Sequence, residues 1–140
     1  MFRSVVIAAA TTATLTLPAV AQDVEAGAEL FQKQCGTCHV VMNEDGEILA
    51  GRKARTGPNL FGIVDAPAAQ VDGFRYGSGL LAAADAGLVW EVPHLVAYLQ
   101  DTNIFLREVT GDPKVRSRMA WKVRKDKDAA DIAAFLATLK

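Results

Sequence analysis

A small all-α domain with long loops is the fold this sequence predicts, on three observations. Apolar residues recur three and four positions apart in several separate stretches, as the buried stripe of a helix does. Glycine and proline interrupt the chain between those stretches. No run alternates apolar and polar residues convincingly enough to read as a strand.

The first 21 of the 140 residues are expected to be a leader rather than part of the domain. Met1-Phe2-Arg3 opens weakly positive, and Val5 to Leu17 is apolar and threonine-rich. Ala19-Val20-Ala21 then fits the small-x-small cleavage pattern of a secretory signal peptide. The apolar run falls short of the ~20 residues of a membrane span. Residues 22–140 remain as one domain, expected to be soluble and of a size that gains from an added staple.

Asp23 is placed to cap a helix from Val24, with Glu25 at its positive end. Val24, Gly27, Ala28 and Phe31 form its apolar face; a helical glycine costs up to ~1 kcal/mol, so Gly27 fits a close helix crossing. Residues 41–57 read as a polar excursion, with turn chemistry in Asn43-Glu44-Asp45-Gly46. Thr56-Gly57-Pro58-Asn59-Leu60 is non-helical, and 63–79 is expected to be irregular, anchored by Phe74 and Tyr76. Leu80 to Ala86 predicts a short helix stopped by Gly87. Pro93 suits the first turn of another, with Leu95, Tyr98 and Leu99 on one face. Thr110-Gly111-Asp112-Pro113 breaks the chain. A last helix begins near Asp126 or Asp128, carrying Ile132, Phe135, Leu136 and Leu139.

Cys35-Gly36-Thr37-Cys38-His39 is the stretch with chemistry. C-x-x-C-H is the signature of covalent haem attachment: two thiols on one turn each add across a vinyl group of one porphyrin, and the following histidine binds its iron. A thioredoxin-like pair, half a zinc site and a structural disulfide are the competing readings. The chain has only two cysteines, and export places them in an oxidising compartment. Zinc needs four ligands, and beyond this motif only His94 is an obvious one. No βαβ pattern surrounds the motif.

His39 leaves a sixth iron position to be filled. Met42 is too near His39 to cross the ring plane. Met119 lies in irregular chain long enough to wrap the opposite face and is the leading candidate, with His94 and an open position as alternatives. A thioether ligand favours the ferrous ion and raises the potential. Closing both positions leaves an electron-transfer site; an open one suits an enzyme such as a peroxidase, or a gas-binding protein.

Charge is segregated although the net value is −1. Residues 23–47 hold six acids against Lys33; residues 114–127 hold Lys114, Arg116, Arg118, Lys122, Arg124, Lys125 and Lys127 against Asp126. The basic run surrounds Met119, as a docking surface for acidic partners would, though a solvated face is the simpler reading. Nothing favours nucleic acid as the partner.

These motifs, in this order and separation, resemble the class I c-type cytochromes, and among them the bacterial periplasmic cytochrome c2 group with a long insertion, here Val41 to Arg55. The likeness spans the mature chain and is carried by Gly27, Phe31, Cys35 to His39, Thr56 to Leu60, Phe74, Tyr76, Trp90, Leu95, Tyr98, Leu99, Thr110 to Asp112, Met119, Phe135 and Leu136. It implies a class I cytochrome c fold with crossing terminal helices, wrapped round one covalent haem c through Cys35 and Cys38. It further implies iron bound by His39 and Met119, and a monomeric periplasmic electron carrier rather than an enzyme. Pro58 would hold His39 by its carbonyl, Tyr76 and Trp90 would bond a haem propionate, and Tyr98 would lie near the Met119 sulfur. The partners implied are membrane redox complexes: a cytochrome bc1 complex as donor, and a photosynthetic reaction centre, terminal oxidase or reductase as acceptor.

Three positions depart from the family pattern. Asp65-Ala66 stands where many relatives have Gly-Arg, removing an arginine that helps neutralise a propionate; Arg52, Arg55 and Arg75 are the possible substitutes. Thr102 stands in place of a common proline, and Trp121 in place of a phenylalanine.

Overall fold

The computed structural model describes residues 22–140; the expected leader and its cleavage site lie outside them. The described chain forms helices α1 (Val24–Gln34), α2 (Ser78–Asp85), α3 (Val92–Gln100), α4 (Thr102–Thr110) and α5 (Asp126–Ala137), with strands β1 (Val40–Met42) and β2 (Ile48–Gly51) between α1 and α2. No described helix is long and apolar enough to cross a membrane.

Local chemistry starts α1 as expected. Asp23 accepts a hydrogen bond from the Ala26 N–H at 3.0 Å, satisfying one of the orphan donors of the first turn. Gly27 and Phe31 form the buried face of α1, which crosses α5. Phe31 meets Phe135 with ring centroids 5.7 Å apart, and α3, whose buried residues are Leu95, Tyr98 and Leu99, also packs on α5. The core is thus the joint of the two terminal helices with α3, completed by Ile132, Leu136 and Leu106.

The polar excursion is in part a hairpin, which corrects the expectation of no strand. Val40 pairs with Gly51 and Val41 with Ala50, and the register then slips so that Met42 faces Ile48. Strands of three and four residues, one interrupted by that slip, are too short to show alternation. The turn was legible: Asn43 accepts the Glu47 N–H at 2.8 Å, and Gly46 takes a positive φ.

A second difference lies after α3. The sequence gives no separate helix between the one opened by Pro93 and the break at Thr110, yet Asp101 ends α3 in extended backbone and caps α4, accepting from the Asn103 and Ile104 N–H groups. Residues 63–79 are largely irregular, as expected. One edge of that stretch pairs with the chain before α3, where Ala68 N–H donates to Leu88 and Trp90 N–H to Ala66. Asp65 has φ of 67°, a left-handed conformation in which glycine is unstrained, and this is the position where the family pattern has glycine. Its carboxylate meets Lys140 at 2.8 Å.

Candidate functional site

The attachment motif sits on the turn that ends α1. The Cys35 N–H caps the helix on the Phe31 carbonyl, and the N–H groups of Cys38 and His39 both return to the Cys35 carbonyl, at 3.0 and 2.9 Å. Both cysteines are free thiols, Cys35 buried and Cys38 exposed, so the disulfide reading fails. Burial, with the Cys38 thiol beside it, pushes the Cys35 thiol up to about 12. A thioredoxin-like nucleophile needs the opposite shift. Among the described residues no three His, Cys, Asp or Glu side chains converge on a metal-ion cage.

His39 is oriented by the segment from Gly57 to Phe61. Its Nδ1–H donates to the Pro58 carbonyl at 3.0 Å, which leaves Nε2 as the ring's free lone pair. Burial lowers the imidazole's proton affinity, with the Pro58 bond acting partly against it. The neutral ring is the form that ligates iron. Two residues missed in the sequence deliver that carbonyl. The Asn59 side chain spans Met42, accepting its N–H at 2.9 Å and donating to its carbonyl at 2.7 Å, as a paired strand would. Gly57 lies so close that a Cβ there would come 2.3 Å from His39 Cε1. The proline-glycine composition marked this stretch as non-helical and gave no hint of these contacts.

Met119 is half-buried against the core, in a stretch, residues 111–125, without helix or strand. Its N–H donates to the Ser117 hydroxyl at 3.1 Å and its carbonyl accepts from the Thr102 hydroxyl at 2.9 Å. Two residues on, the Trp121 indole N–H reaches Gln34, the neighbour of Cys35, at 3.4 Å. A cleft of about 560 Å³ opens there, lined by Gln34, Trp121, Lys122, Arg124, Lys125 and Asp128. The last residue of α1, Gln34, and the chain just after Met119 therefore border one opening.

The remaining expected residues fall into place unevenly. Tyr98 meets Ser117, two residues before Met119, through their hydroxyls at 3.0 Å. Burial raises the Tyr98 phenol above its ordinary value. Trp90 packs against Tyr98 and Phe105, at 5.0 and 6.0 Å between centroids. Tyr76 accepts the Val71 N–H at 3.1 Å, which leaves its own O–H to donate elsewhere. His94 is tied by Nδ1 to the Val89 carbonyl at 2.7 Å, a structural role. The basic residues divide. Lys122, Arg124 and Lys125 border the cleft, whereas Lys114 and Arg116 line a separate groove beside α2. Lys122 is paired with Asp101, and Arg118 donates to the Arg75 carbonyl while packing on Gly77.

Two free thiols on one turn, followed by an imidazole with one nitrogen satisfied and the other free, fit a covalent haem. Comparison with known proteins agrees. Residues 24–140 match the family model described as cytochrome c. The chain is 47% identical over 131 residues to a cytochrome c2 of Cereibacter sphaeroides, covering 91% of this chain and 90% of that one. It is 48% identical over 120 residues to a cytochrome c2 of Rhodovulum adriaticum, covering 86% and 94%. The crystal structure of Rhodobacter sphaeroides cytochrome c2 superimposes with a TM-score of 0.81 at 43% identity, over 85% of this chain and 97% of that one.

Proposed function

The chain belongs to the cytochrome c family, among its cytochrome c2 members, and on that premise we propose that His39 and Met119 are the two axial ligands of its iron. Membership makes the protein a carrier of electrons on one covalently attached haem c, and not an enzyme. When bound, the haem supplies a one-electron Fe(II)/Fe(III) couple.

The chain's own groups set the terms of that couple. Cys35 and Cys38 would tether the porphyrin by thioethers, each S–H adding across a vinyl C=C with no oxidant consumed. His39 would bind the iron through Nε2, with Pro58 fixing its tautomer and raising its basicity. Met119 presents a soft sulfur that favours the ferrous ion. Tyr76 and Trp90 would donate to a propionate, and Tyr98 would act near the methionine through Ser117. With His39 and Met119 both bound, the chain would leave substrate and oxygen no place at the iron.

The observation that carries this reading is His39 Nδ1 seated on the Pro58 carbonyl at 3.0 Å, because it leaves Nε2 to bind iron. The protein works as a soluble periplasmic monomer after removal of residues 1–21. It takes electrons from a cytochrome bc1 complex and passes them to a photosynthetic reaction centre, a terminal oxidase or a reductase. Acidic surfaces on those membrane complexes meet the basic residues: Lys122, Arg124 and Lys125 at the cleft, with Lys114, Arg116 and Arg118 beyond it. Such encounters are small and brief.

The test is the optical spectrum of protein matured in a haem-attaching host. Reduced protein is expected to keep its spectrum under carbon monoxide; a change would show an open sixth position and remove Met119 as a ligand.

A further inference from the structure

Two polar side chains are buried among the described residues, Asp131 and Thr102. Asp131 ties the two terminal helices together. Thr102, with no exposed surface, sits in the first turn of α4 and turns its hydroxyl away from its own helix, donating to the Met119 carbonyl at 2.9 Å.

Its neighbours do the same. Asp101 holds Lys122 through Oδ2, and Asn103 accepts the Ser117 N–H at 2.8 Å. Three consecutive side chains therefore grip the loop at residues 122, 119 and 117. Their platform is fixed, because the other Asp101 oxygen caps α4 on Asn103 and Ile104, each at 3.0 Å. The loop's far end is pinned where the Val123 N–H donates to the Leu99 carbonyl at 2.8 Å. Met119 has both backbone polar groups bound to hydroxyls, and one of these, on Ser117, is braced by Tyr98.

We propose that Thr102 is a positioning residue for Met119, holding the thioether at the iron against displacement by other ligands. The proposal rests on the reading of Met119 as an axial ligand. A thioether binds ferric iron less well than ferrous, so in the oxidised protein the sulfur is kept in place chiefly by the chain that carries it. Removing the Thr102 hydroxyl leaves the half-buried Met119 carbonyl without its partner and loosens the loop at its centre.

The test uses ferric holoprotein titrated with imidazole, which competes for the methionine position. Thr102→Val keeps the β-branched shape and deletes the hydroxyl. It is expected to bind imidazole about five- to tenfold more tightly, the loss of roughly one hydrogen bond. Thr102→Ser returns the hydroxyl and is expected to recover the parent affinity. Thr110→Val removes a hydrogen bond within the same helix, to Leu106, and is expected to leave the affinity unchanged. Should the valine variant not fold, Thr102→Pro serves, since extended Asp101 and a first-turn site both accept proline. Amide exchange over residues 117–123 should quicken in the hydroxyl-less variant alone. Equal imidazole affinities in the Thr102 and Thr110 variants would overturn the positioning role. Absence of the methionine-to-iron charge-transfer band from the ferric parent would instead overturn the ligation itself, and the proposal with it.

Discussion

A Cβ added to Gly27 would lie 2.0 Å from the Asp131 carbonyl oxygen and 2.9 Å from the Phe135 Cβ, so α1 and α5 cross backbone against backbone. The attachment turn extends directly from α1, which makes this crossing the support of Cys35 and His39. Alanine would gain up to ~1 kcal/mol of helix propensity, but the obstructing atom is main chain and cannot swing aside. Gly27→Ala is therefore expected to destabilise the holoprotein by ~2–3 kcal/mol net. A lower denaturant midpoint at constant slope is the reading that checks it.

Asp131 contributes to the same joint through its side chain. The carboxylate accepts the Asp23 N–H at 2.9 Å and pairs with Lys127 at 2.6 Å, although its side chain is only 3% exposed. The bond from Asp23, then that from Lys127, holds the Asp131 carboxyl below its ordinary value. A depressed carboxyl gives stability that is full above its unfolded pKa, ~3.9. That stability is lost as pH falls through the native value, which lies lower. Asp131→Asn is expected to cost about 1–2 kcal/mol near neutrality. Its disadvantage should shrink as pH drops below about 4, seen in thermal midpoints measured down the acid limb. A constant difference at every pH would assign the loss to packing instead.

Which parts of this fold were legible follows from how local their causes are. The Asp23 cap, the Phe31 stripe, Pro93 at a helix start and the Gly87 stop are set within a turn or two of chain, and each stands where the sequence puts it. Gly27 was legible as an anomaly, since a costly residue on an apolar face needs an external reason. The hairpin was not, because its pairing rests on a few residues and an Asn59 side chain lying outside both strands. The grip of Asp101, Thr102 and Asn103 on the Met119 loop spans 14 to 21 residues. No periodicity records such contacts. The substitution of threonine for a family proline was the only trace. Asp65 was noticed for the arginine missing beside it, whereas its positive φ makes the lost glycine equally telling.

Gly57 should prove as restrictive as the histidine it faces. An added methyl would press on Cε1 and Nδ1 of His39, at 2.3 and 2.5 Å, and drive the ring from the Pro58 carbonyl. The neighbouring Gly57 N–H donates to the Cys38 carbonyl at 2.8 Å, so backing away also strains the attachment turn. Groups that orient a metal-bound histidine change metal affinity by about 10–100-fold when lost. Gly57→Ala is accordingly expected to cut the yield of haem-loaded protein by about tenfold or more, measured as haem absorbance per mole of chain. Parent-like loading would mean that the Gly57 segment can shift without disturbing His39.

The basic residues are not equivalent, and salt dependence should separate them. Lys122 is engaged with Asp101 beside the Met119 loop, so reversing its charge disturbs that loop as well as the surface. Lys125 borders the same cleft, is exposed and makes no ion pair among the described residues, which leaves its charge free to steer. At low ionic strength Lys125→Glu is expected to slow bimolecular oxidation by an acidic redox partner several-fold, and the deficit should fade at ~1 M salt, where screening acts over about 3 Å. Its reduction potential and thermal midpoint should match the parent, because no hydrogen bond of the Met119 loop is touched. Lys122→Glu should differ in kind, with a residual defect at high salt and faster amide exchange near Met119. Stopped-flow rates across an ionic-strength series decide the matter. A salt-independent rate in the parent would remove electrostatic steering from the account and leave the basic run as a solvated face.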